Sequence, residues 1–225
     1  MDSPLVPFGR PPAERADAAR NREALLCAAR AMIAEHGTEK VTMDGLAERA
    51  GLGKGTVFRR FGTRAGIFRA LLDAEEQCFQ QQVLTGPPPL GPGADPVDRL
   101  IAYGRARTGF LLARHEIARA ALERKGPVPA AGGPAFTRPH VRMLLGQADL
   151  GIADLDSLAL QLTSALEGPP LLFLAADPPA DPPADPPVDR PAPDAAAAAP
   201  GPCQGDLAGL LADSWQALVE RVARR

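Results

Sequence analysis

The sequence of 225 residues predicts an all-α fold. Apolar residues recur at the three- and four-residue spacing of a helix in one segment after another. Sheet-forming residues, in contrast, never alternate over a useful length, and the Asn-Gly hairpin signal is missing from the sequence. The apolar fraction of 45% suits a globular core, and because aromatic residues make up only 4%, Leu, Ala and Val must build most of it.

The chain is predicted to begin with a flexible arm followed by a first helix. Residues 1–18 are rich in Pro, Arg and Ala and carry no sustained apolar stripe, which favours a mobile segment. A helix is predicted at about 20–36, and Gly37 supplies its stop. The apolar stripe of this helix consists of Leu25, Leu26, Ala29, Met32 and Ile33.

Segment 42–61, TMDGLAERAGLGKGTVFRRF, predicts a helix, a tight turn and a second short helix. Thr42 is the expected N-cap of the first of these helices, and Gly51 supplies the turn. The residues predicted to face inward after the turn are Leu52, Val57 and Phe61. Thr63 is then expected to cap a longer fourth helix. Two short helices joined in this way form a helix-turn-helix, so we expect residues 19–66 to be a DNA-binding domain.

The residue types in the second short helix fit the major groove of DNA. A short helix can read base edges only if it approaches them closely. Cations beside the helix are needed to contact the phosphates. Gly53 and Gly55 permit the close approach, and Lys54 can reach a guanine edge or a phosphate. Further candidates for base or phosphate contacts are Thr56, Arg59 and Arg60, together with Thr42 and Arg64 at the N-termini of the second and fourth helices.

The charge distribution agrees with a DNA-binding head. Residues 10–70 contain 12 basic and 7 acidic residues, whereas the remainder contains 13 basic and 20 acidic residues. A basic N-terminal part on an acidic body is typical of a nucleic-acid-binding domain that is carried by a second domain.

The rest of the chain, residues 67–225, is predicted to be a second helical domain. Segment 86–96 is rich in Gly and Pro and must be a loop. Helices are predicted at about 97–114, 116–125, 138–149, 155–176 and 206–223, with a second Gly/Pro-rich loop at 126–134. Gly168-Pro169-Pro170 is expected to kink or restart the fourth of these helices.

Segment 177–202 contains ten prolines, and ADPP occurs three times in a row from residue 176 to residue 187. Such a composition favours extended polyproline II structure and lacks the apolar content to pack, so we expect a disordered insert. The last helix, in contrast, has a strong apolar stripe that needs a partner surface.

Cysteine usage and hydropathy give no indication of a disulfide, a metal site, a cofactor or a membrane span. Cys27, Cys78 and Cys203 lie far apart and form no CxxC pair, and the first two are expected to be buried within helices. The longest apolar runs are too short to cross a bilayer and no signal peptide is visible, which favours a cytoplasmic protein.

Residues 22–72 resemble the N-terminal domain of the TetR family of bacterial transcriptional regulators. The resemblance rests on the run VTMDGLAERAGLGKGTVFRRFGTRAGIFRALL, which has the family's capping Thr, its Ala-Gly turn, and a recognition helix that ends in an aromatic residue, two others and Phe. Phe58 stands where the family usually has a Tyr whose hydroxyl touches a phosphate, and Gly53 stands where the family often has Ser. The candidate DNA-binding residues are therefore Thr42, Gly53, Lys54, Gly55, Thr56, Phe58, Arg59, Arg60 and Arg64.

The resemblance implies a homodimer that binds a palindromic double-stranded DNA operator and responds to a small-molecule effector. The candidates for lining the effector pocket are Phe79, Tyr103, Phe110, His115 and Met143, and plain packing in the core is the alternative role for each. The last two long helices would pair across the dimer axis, and the interface residues expected on them are Leu158, Leu162, Leu166, Leu211, Trp215 and Leu218. Repression is the expected sign of regulation, and no catalytic residue is expected.

Two other readings of the sequence give different expectations. An enzymatic second domain would need a nucleophile or metal motif, but the sequence contains no HExxH motif, no P-loop and no recognisable nucleophile elbow. An architectural DNA-binding protein would use the proline-rich segment to recruit partners and would discriminate little between DNA sequences.

Overall fold

The structure, a computed structural model, describes residues 12–122, 133–175 and 204–224. Within these ranges it contains nine α-helices, one short 3-10 helix at Thr38–Lys40 and no strand, which confirms the all-α prediction. The helices are α1 (Pro12–His36), α2 (Met43–Arg49), α3 (Lys54–Phe61), α4 (Arg64–Thr85), α5 (Pro96–Ala113), α6 (His115–Ala121), α7 (Gly133–Ala148), α8 (Leu155–Ala175) and α9 (Gln204–Ala223). The predicted proline-rich insert at 177–202 lies outside the described residues. No helix in the described ranges is long and apolar enough to cross a membrane.

The chain divides into two compact units, which are described separately. The described part of the first unit comprises residues 12–75 and 116–122. The described part of the second comprises residues 76–115, 133–175 and 204–224. The division falls within α4, so this helix contributes residues to both units.

The core of the first unit is built from one face of each of its helices. The apolar stripe predicted for α1 is buried, with Ile33 partly so. Leu46 from α2 and Val57 from α3 are fully buried against it, and Leu52 and Phe61 pack on the same cluster as predicted. From α4 the buried side chains are Ile67, Phe68 and Leu71.

The helix α1 begins earlier than the sequence predicted. It starts at Pro12, so residues 12–18 of the predicted arm are helical. The prediction relied on an apolar stripe, which this segment lacks. Ala, Glu and Arg nevertheless have high helix propensity, and Pro is compatible with the first turn of a helix. Cys27 and Cys78 are both exposed, which corrects their expected burial: Cys27 lies between the core-facing Leu26 and Ala28, and its side chain projects outward.

In the second unit, α5 packs against α7, α8 and α9. Gly104 of α5 is the point of closest approach to α9, since a Cβ at this position would overlap the indole ring of Trp215. Trp215 is only 4% exposed, and its Nε1 donates a hydrogen bond to the carbonyl oxygen of Leu100 at 3.0 Å. This single Trp therefore fixes α9 on α5.

Three helices, α6, α7 and α8, differ from the prediction in a boundary or in continuity. The helix α6 ends at Ala121 instead of about 125, and α7 begins at Gly133 and contains Pro139. The helix α8 runs without interruption from Leu155 to Ala175 through Gly168-Pro169-Pro170, where a restart had been one expectation. A proline removes one backbone hydrogen bond but keeps a φ angle suited to a helix, so a helix held by its side-chain packing can include it.

A buried ion cluster joins α4, α5 and α8 within the second unit. The side chain of Arg107 is 1% exposed, and its Nη1 donates to Oε2 of Glu76 at 2.6 Å. Its Nη2 donates to Oε1 of Glu167 at 3.3 Å. The guanidinium also lies over the rings of Phe79 and Phe110, at 5.6 and 5.2 Å from their centroids. Removing this arginine would leave two partly buried carboxylates without their cation.

We therefore expect Arg107→Met to lower the free energy of unfolding of the second unit by about 3–5 kcal/mol, the usual consequence of removing one partner from a buried ion pair. Urea unfolding followed by the fluorescence of Trp215 measures this change. Arg105→Met is the matched control on the same helix, because Arg105 forms an exposed pair with Asp213 and its loss should cost less than about 1 kcal/mol. Equal losses for the two variants would contradict a stabilising role for the cluster.

Candidate nucleic-acid interface and effector site

The segment before α3 has the turn and capping geometry that the sequence predicts. The side-chain oxygen of Thr42 accepts a hydrogen bond from the backbone N–H of Gly45 at 3.0 Å, which caps α2. The hydroxyl proton of Thr42 remains available to a phosphate. Gly51 turns the chain with a φ of 64°, a value that favours glycine. Gly53 occupies the N-cap position of α3 without a side-chain cap, as predicted.

The helix α3 buries one side and exposes the other. Val57 is fully buried, whereas Lys54, Gly55, Phe58 and Arg59 are exposed. These four residues lie at three- and four-residue spacings and thus share one helix face, which we call the recognition face. A Cβ at Gly55 would meet no other atom within 4 Å, so the small residue is not required by packing inside the chain.

The cations near α3 differ in their contacts. Nζ of Lys54 lies 2.9 Å from Oδ2 of Asp44, and both side chains are largely exposed. Nη2 of Arg59 lies 3.4 Å from Oγ1 of Thr56, a long contact that leaves the guanidinium in solvent. Nη2 of Arg60 donates to the carbonyl oxygen of Ala18 on α1 at 2.5 Å. Arg60 therefore contacts the part of α1 that the sequence had predicted to be a mobile arm.

Arg64 has a clear structural role that the sequence did not indicate. Its Nε donates to the carbonyl oxygen of Val41 at 2.8 Å, and its Nη2 donates to that of Thr38 at 2.6 Å. The guanidinium also lies 5.0 Å from the ring centroid of Phe68. These contacts hold the segment between α1 and α2 against the start of α4, and they use part of the donor capacity assigned to a phosphate.

Phe58 is 51% exposed on the recognition face. A half-exposed phenyl ring contributes little to the core of its own chain but can contact a thymine methyl group or a deoxyribose. It offers no hydroxyl to a phosphate, so its contact with DNA must be apolar.

Three of the five residues predicted for the effector pocket lie close together. Phe79, Tyr103 and Phe110 form an aromatic cluster, in which the ring centroids of Phe79 lie 5.9 Å from Tyr103 and 4.9 Å from Phe110. His115 is the first residue of α6, with Nδ1 2.8 Å from the carbonyl oxygen of Leu112. Met143 is 40% exposed on α7, because the side of this helix that faces the core carries Thr137, His140, Val141 and Leu144. That these five residues line one effector pocket stays a prediction.

Polar residues that the prediction omitted surround Tyr103. The Tyr103 hydroxyl donates a hydrogen bond to Oγ1 of Thr137 at 2.9 Å. The Thr137 hydroxyl donates in turn to Oε1 of Glu167 at 2.7 Å. Burial raises the pKa of Tyr103 to about 12, so the phenol keeps its proton. On the other side of Tyr103, the ring of His140 lies 4.8 Å away and stacks on Phe136 at 5.4 Å.

His140 and Arg99 form the second part of this polar region. Burial, together with the positive charge of Arg99, lowers the pKa of His140 to about 4, so the ring is neutral at pH 7. The available signal in the sequence was the four-residue spacing of Arg99, Tyr103 and Arg107, which places two arginines and a tyrosine on one side of α5.

The residues predicted for a dimer interface are mostly buried within the chain itself. Leu162 and Leu166 of α8 and Trp215 of α9 belong to the core of the second unit, and Leu158 packs against it. Leu211 lies beside Trp215 in a shallow groove between α8 and α9 and is partly buried. Of the six, only Leu218 is exposed; the other exposed leucines on these helices are Leu160 and Leu210. Of the predicted stripe, Trp215 is buried against α5 of the same chain, whereas Leu210 and Leu218 are exposed.

Comparison with known proteins places the first unit in a family. Residues 25–71 match the sequence profile of the family described as bacterial regulatory proteins, tetR family. None of the curated proteins matches this sequence significantly.

Solved structures include several similar folds. The crystal structure of multidrug binding protein EbrR complexed with imidazole is similar over 97% of both chains, at 21% identity and a TM-score of 0.51. A gamma-butyrolactone receptor (ArpA-like protein) matches 70% of this chain and 82% of its own, at 19% identity and a TM-score of 0.42. A Clostridium perfringens putative fatty acid metabolism regulator matches 68% of this chain and 86% of its own, at 19% identity and a TM-score of 0.40. Residues 25–71 therefore carry the helix-turn-helix DNA-binding domain of the bacterial regulatory proteins of the tetR family.

Proposed function

We propose that this regulator is a homodimer that binds a palindromic operator and releases it when a small molecule binds the second unit. The observation that carries the proposal is the recognition face of α3. An eight-residue helix held by a fully buried Val57 presents a lysine, an arginine, a glycine and a phenyl ring to solvent on one side. Such a helix fits the major groove, which distinguishes all four base pairs by their edges.

The contacts of each residue support a division of roles. Lys54 and Arg59 have long, exposed side chains that can reach base edges, and Phe58 can contact a thymine methyl group. Thr42, Thr56 and Arg60 are suited to the phosphates, where they would fix the register without reading sequence. Asp44 pairs with Lys54 in the free protein and would have to release it, or share it, when the groove is occupied.

Exposed leucines on the last two helices support a dimer. Leu160 of α8 and Leu210 and Leu218 of α9 are between 39% and 55% exposed in the single chain. The exposed positions near them on α9 include the small residues Ser214 and Ala217. Leucines among small residues form a surface on which a second pair of helices can pack closely. In a dimer with twofold symmetry, this one patch would supply both sides of the interface.

A ligand in the second unit can regulate DNA binding only through its preference for one conformation of the dimer. The two recognition helices must lie about 34–36 Å apart to enter successive major grooves, and a change in that separation lowers the affinity. The helix α4 contributes residues to both units and is therefore a covalent connection between them. Typical coupling free energies of about 1–3 kcal/mol correspond to roughly 5- to 150-fold changes in affinity.

The proposed function is tested by selecting binding sites from a random duplex pool with the purified protein at a stated salt concentration. We expect a palindrome with half-sites about one helical turn apart. Recovery of no consensus, with binding that only weakens as salt rises, would contradict sequence-specific regulation and favour the architectural alternative.

Replacing Lys54 or Arg59 with Ala should weaken binding to the selected operator without changing helicity. A lost base contact costs about 1–3 kcal/mol, and a lost phosphate contact reduces the slope of log affinity against log salt by about 0.9. Fluorescence anisotropy over a salt series measures both quantities. Arg142→Ala is the matched control, because it removes one exposed positive charge that pairs with Asp156 on α8. Normal binding by both recognition-face variants would show that another surface contacts the DNA.

The double substitution Leu210→Asp, Leu218→Asp should separate the dimer while leaving each chain folded. Each leucine buried in the interface contributes about 1.5–3 kcal/mol to the free energy of association. Because the twofold axis places each leucine in the interface twice, the dimer dissociation constant should rise at least about 100-fold. Light scattering over a concentration series gives this constant. Leu84→Asp introduces the same charge at a leucine of similar exposure on α4 and should leave the mass unchanged. A dimeric double variant would rule out this face.

A further inference from the structure

One cation of the recognition face is paired with a carboxylate from another helix. Nζ of Lys54, the first residue of α3, lies 2.9 Å from Oδ2 of Asp44 in the first turn of α2. The side chains of Lys54 and Asp44 are 68% and 63% exposed. Arg59, the second cation on this face, has no carboxylate partner among the described residues. Arg59 therefore presents a full positive charge to DNA, whereas the charge of Lys54 is neutralised by its partner.

The stability of the chain does not require this pair. Exposed ion pairs contribute little to folding, because water solvates both charges and the long lysine side chain loses conformational freedom. An acidic residue in the first turn of a helix is favoured by the helix dipole, but that effect needs no lysine. The helix α2 is also capped by Thr42 and joined to α1 by the pair between Arg49 and Glu35. The role of the Lys54–Asp44 pair therefore lies in what it presents to a partner in solution.

The carboxylate of Asp44 makes a phosphate contact by Lys54 unfavourable. DNA phosphates hold a layer of condensed counterions, and a free lysine gains affinity by releasing some of them. The Lys54–Asp44 pair has no net charge, so it releases few counterions. Asp44 would also lie close to any phosphate that Lys54 reached, and the two negative charges would repel each other. Sequence-independent binding thus gains little from Lys54 while the pair is formed.

The edge of a base pair, in contrast, can bind both members of the pair. An ammonium group has three N–H donors, so Lys54 can keep one on Asp44 and donate the others to a base. O6 of guanine and N4 of its paired cytosine are joined by a hydrogen bond, and they therefore lie about 2.9 Å apart. Nζ of Lys54 and Oδ2 of Asp44 have the same spacing and offer a donor for O6 and an acceptor for N4.

Guanine is the better partner for Lys54 than thymine. In the major groove guanine presents two neighbouring acceptors, O6 and N7, whereas thymine presents one acceptor beside a methyl group. The backbone next to Lys54 also leaves room for a close approach. Gly53 and Gly55 flank the lysine, and a Cβ at either position would meet no atom within 4 Å.

We propose that Asp44 is a specificity-determining residue, which reads one G·C base pair together with Lys54 and prevents Lys54 from binding phosphates. Lys54 would donate to O6 and N7 of guanine, and Asp44 would accept from N4 of cytosine. The inference deepens the proposed function and rests on it, because it requires sequence-specific binding by the recognition face. It adds a residue of α2 to the residues that read DNA.

The first test measures binding to random-sequence duplex DNA. Asp44→Asn keeps the shape of the side chain but removes its charge, which frees Lys54 to contact a phosphate. We expect the slope of log affinity against log salt to become steeper by about 0.9 and the affinity to rise about fivefold at low salt. Asp213→Asn is the matched control, because Asp213 is also exposed and lies 2.7 Å from Nη1 of Arg105 in the second unit. This control should leave the slope unchanged.

The second test identifies the base pair that is read. Each base pair of the selected operator is substituted in turn, and the affinities of the wild type, Lys54→Ala, Asp44→Asn and Arg59→Ala are compared. Lys54→Ala shows which position depends on Lys54, and we expect a G·C pair there. Asp44→Asn should reduce the discrimination at the same position at least about fivefold. Positions that depend on Arg59 should keep their discrimination in Asp44→Asn.

A purely electrostatic effect of Asp44 would change the affinities for operator and random DNA by the same factor and would relax no position. That result, an A·T pair at the position of Lys54, or unchanged discrimination in Asp44→Asn would overturn the proposal. Melting of the free protein tests the structural alternative. Asp44→Asn should shift the melting temperature by less than about 3 °C, because an exposed pair contributes little. A larger loss would make Asp44 a structural residue of α2 and would also overturn the proposal.

The operator selection distinguishes a failure of this inference from a failure of the proposed function. An operator with no position that depends on Asp44 would leave the sequence-specific regulator intact and contradict the role of Asp44 alone. Recovery of no operator would contradict the proposed function, and this inference with it, for any result on random DNA.

Discussion

The packing of Val57 into the first core determines whether this protein has a recognition surface. An isolated helix of eight residues is unstable in water, and α3 also contains a glycine near its start and lacks a side-chain cap. The helix therefore exists because Val57 is fully buried and Leu52 and Phe61 pack beside it. The same anchor fixes the rotation of α3 about its axis, and thus decides that Lys54, Phe58 and Arg59 face solvent. Stability and DNA recognition are two results of one contact.

Two arginines show how the fold uses cations away from DNA. Arg64 holds the segment between α1 and α2 by donating to the carbonyl oxygens of Val41 and Thr38, and Arg107 joins three helices of the second unit. The planar guanidinium, with five donors in fixed directions, suits both tasks better than a lysine ammonium would. In a DNA-binding protein, therefore, a positive side chain is not by itself evidence of a phosphate contact. Its partners within the chain have to be examined first.

Local signals made the helix-turn-helix predictable from the sequence. Thr42, Gly51 and Thr63 act through their own backbone neighbours, so their caps and turn could be read without knowledge of the fold. The predicted start of α1 was wrong because helix propensity alone, without an apolar stripe, can stabilise the first residues of a helix. The apolar stripe of α9 indicated burial correctly for Trp215 but not for Leu210 and Leu218, and a stripe does not say whether its partner is the same chain or a second copy. Arg99 and His140 escaped notice because a charged or polar residue on a helix is normally exposed, and only packing shows that these two are largely buried.

The contact between Gly104 and Trp215 affects how this gene can change in length. The indole ring occupies the space where α5 has no side chain, and its hydrogen bond to Leu100 sets the register of the last helix. The position of α9 is thus determined by its own contacts with α5, and not by the number of residues that separate it from the end of α8. Doubling the number of residues between two such helices adds only about 0.6 kcal/mol of closure entropy. Repeats such as ADPP could accordingly be gained or lost between α8 and α9 during evolution without moving the helix that follows them.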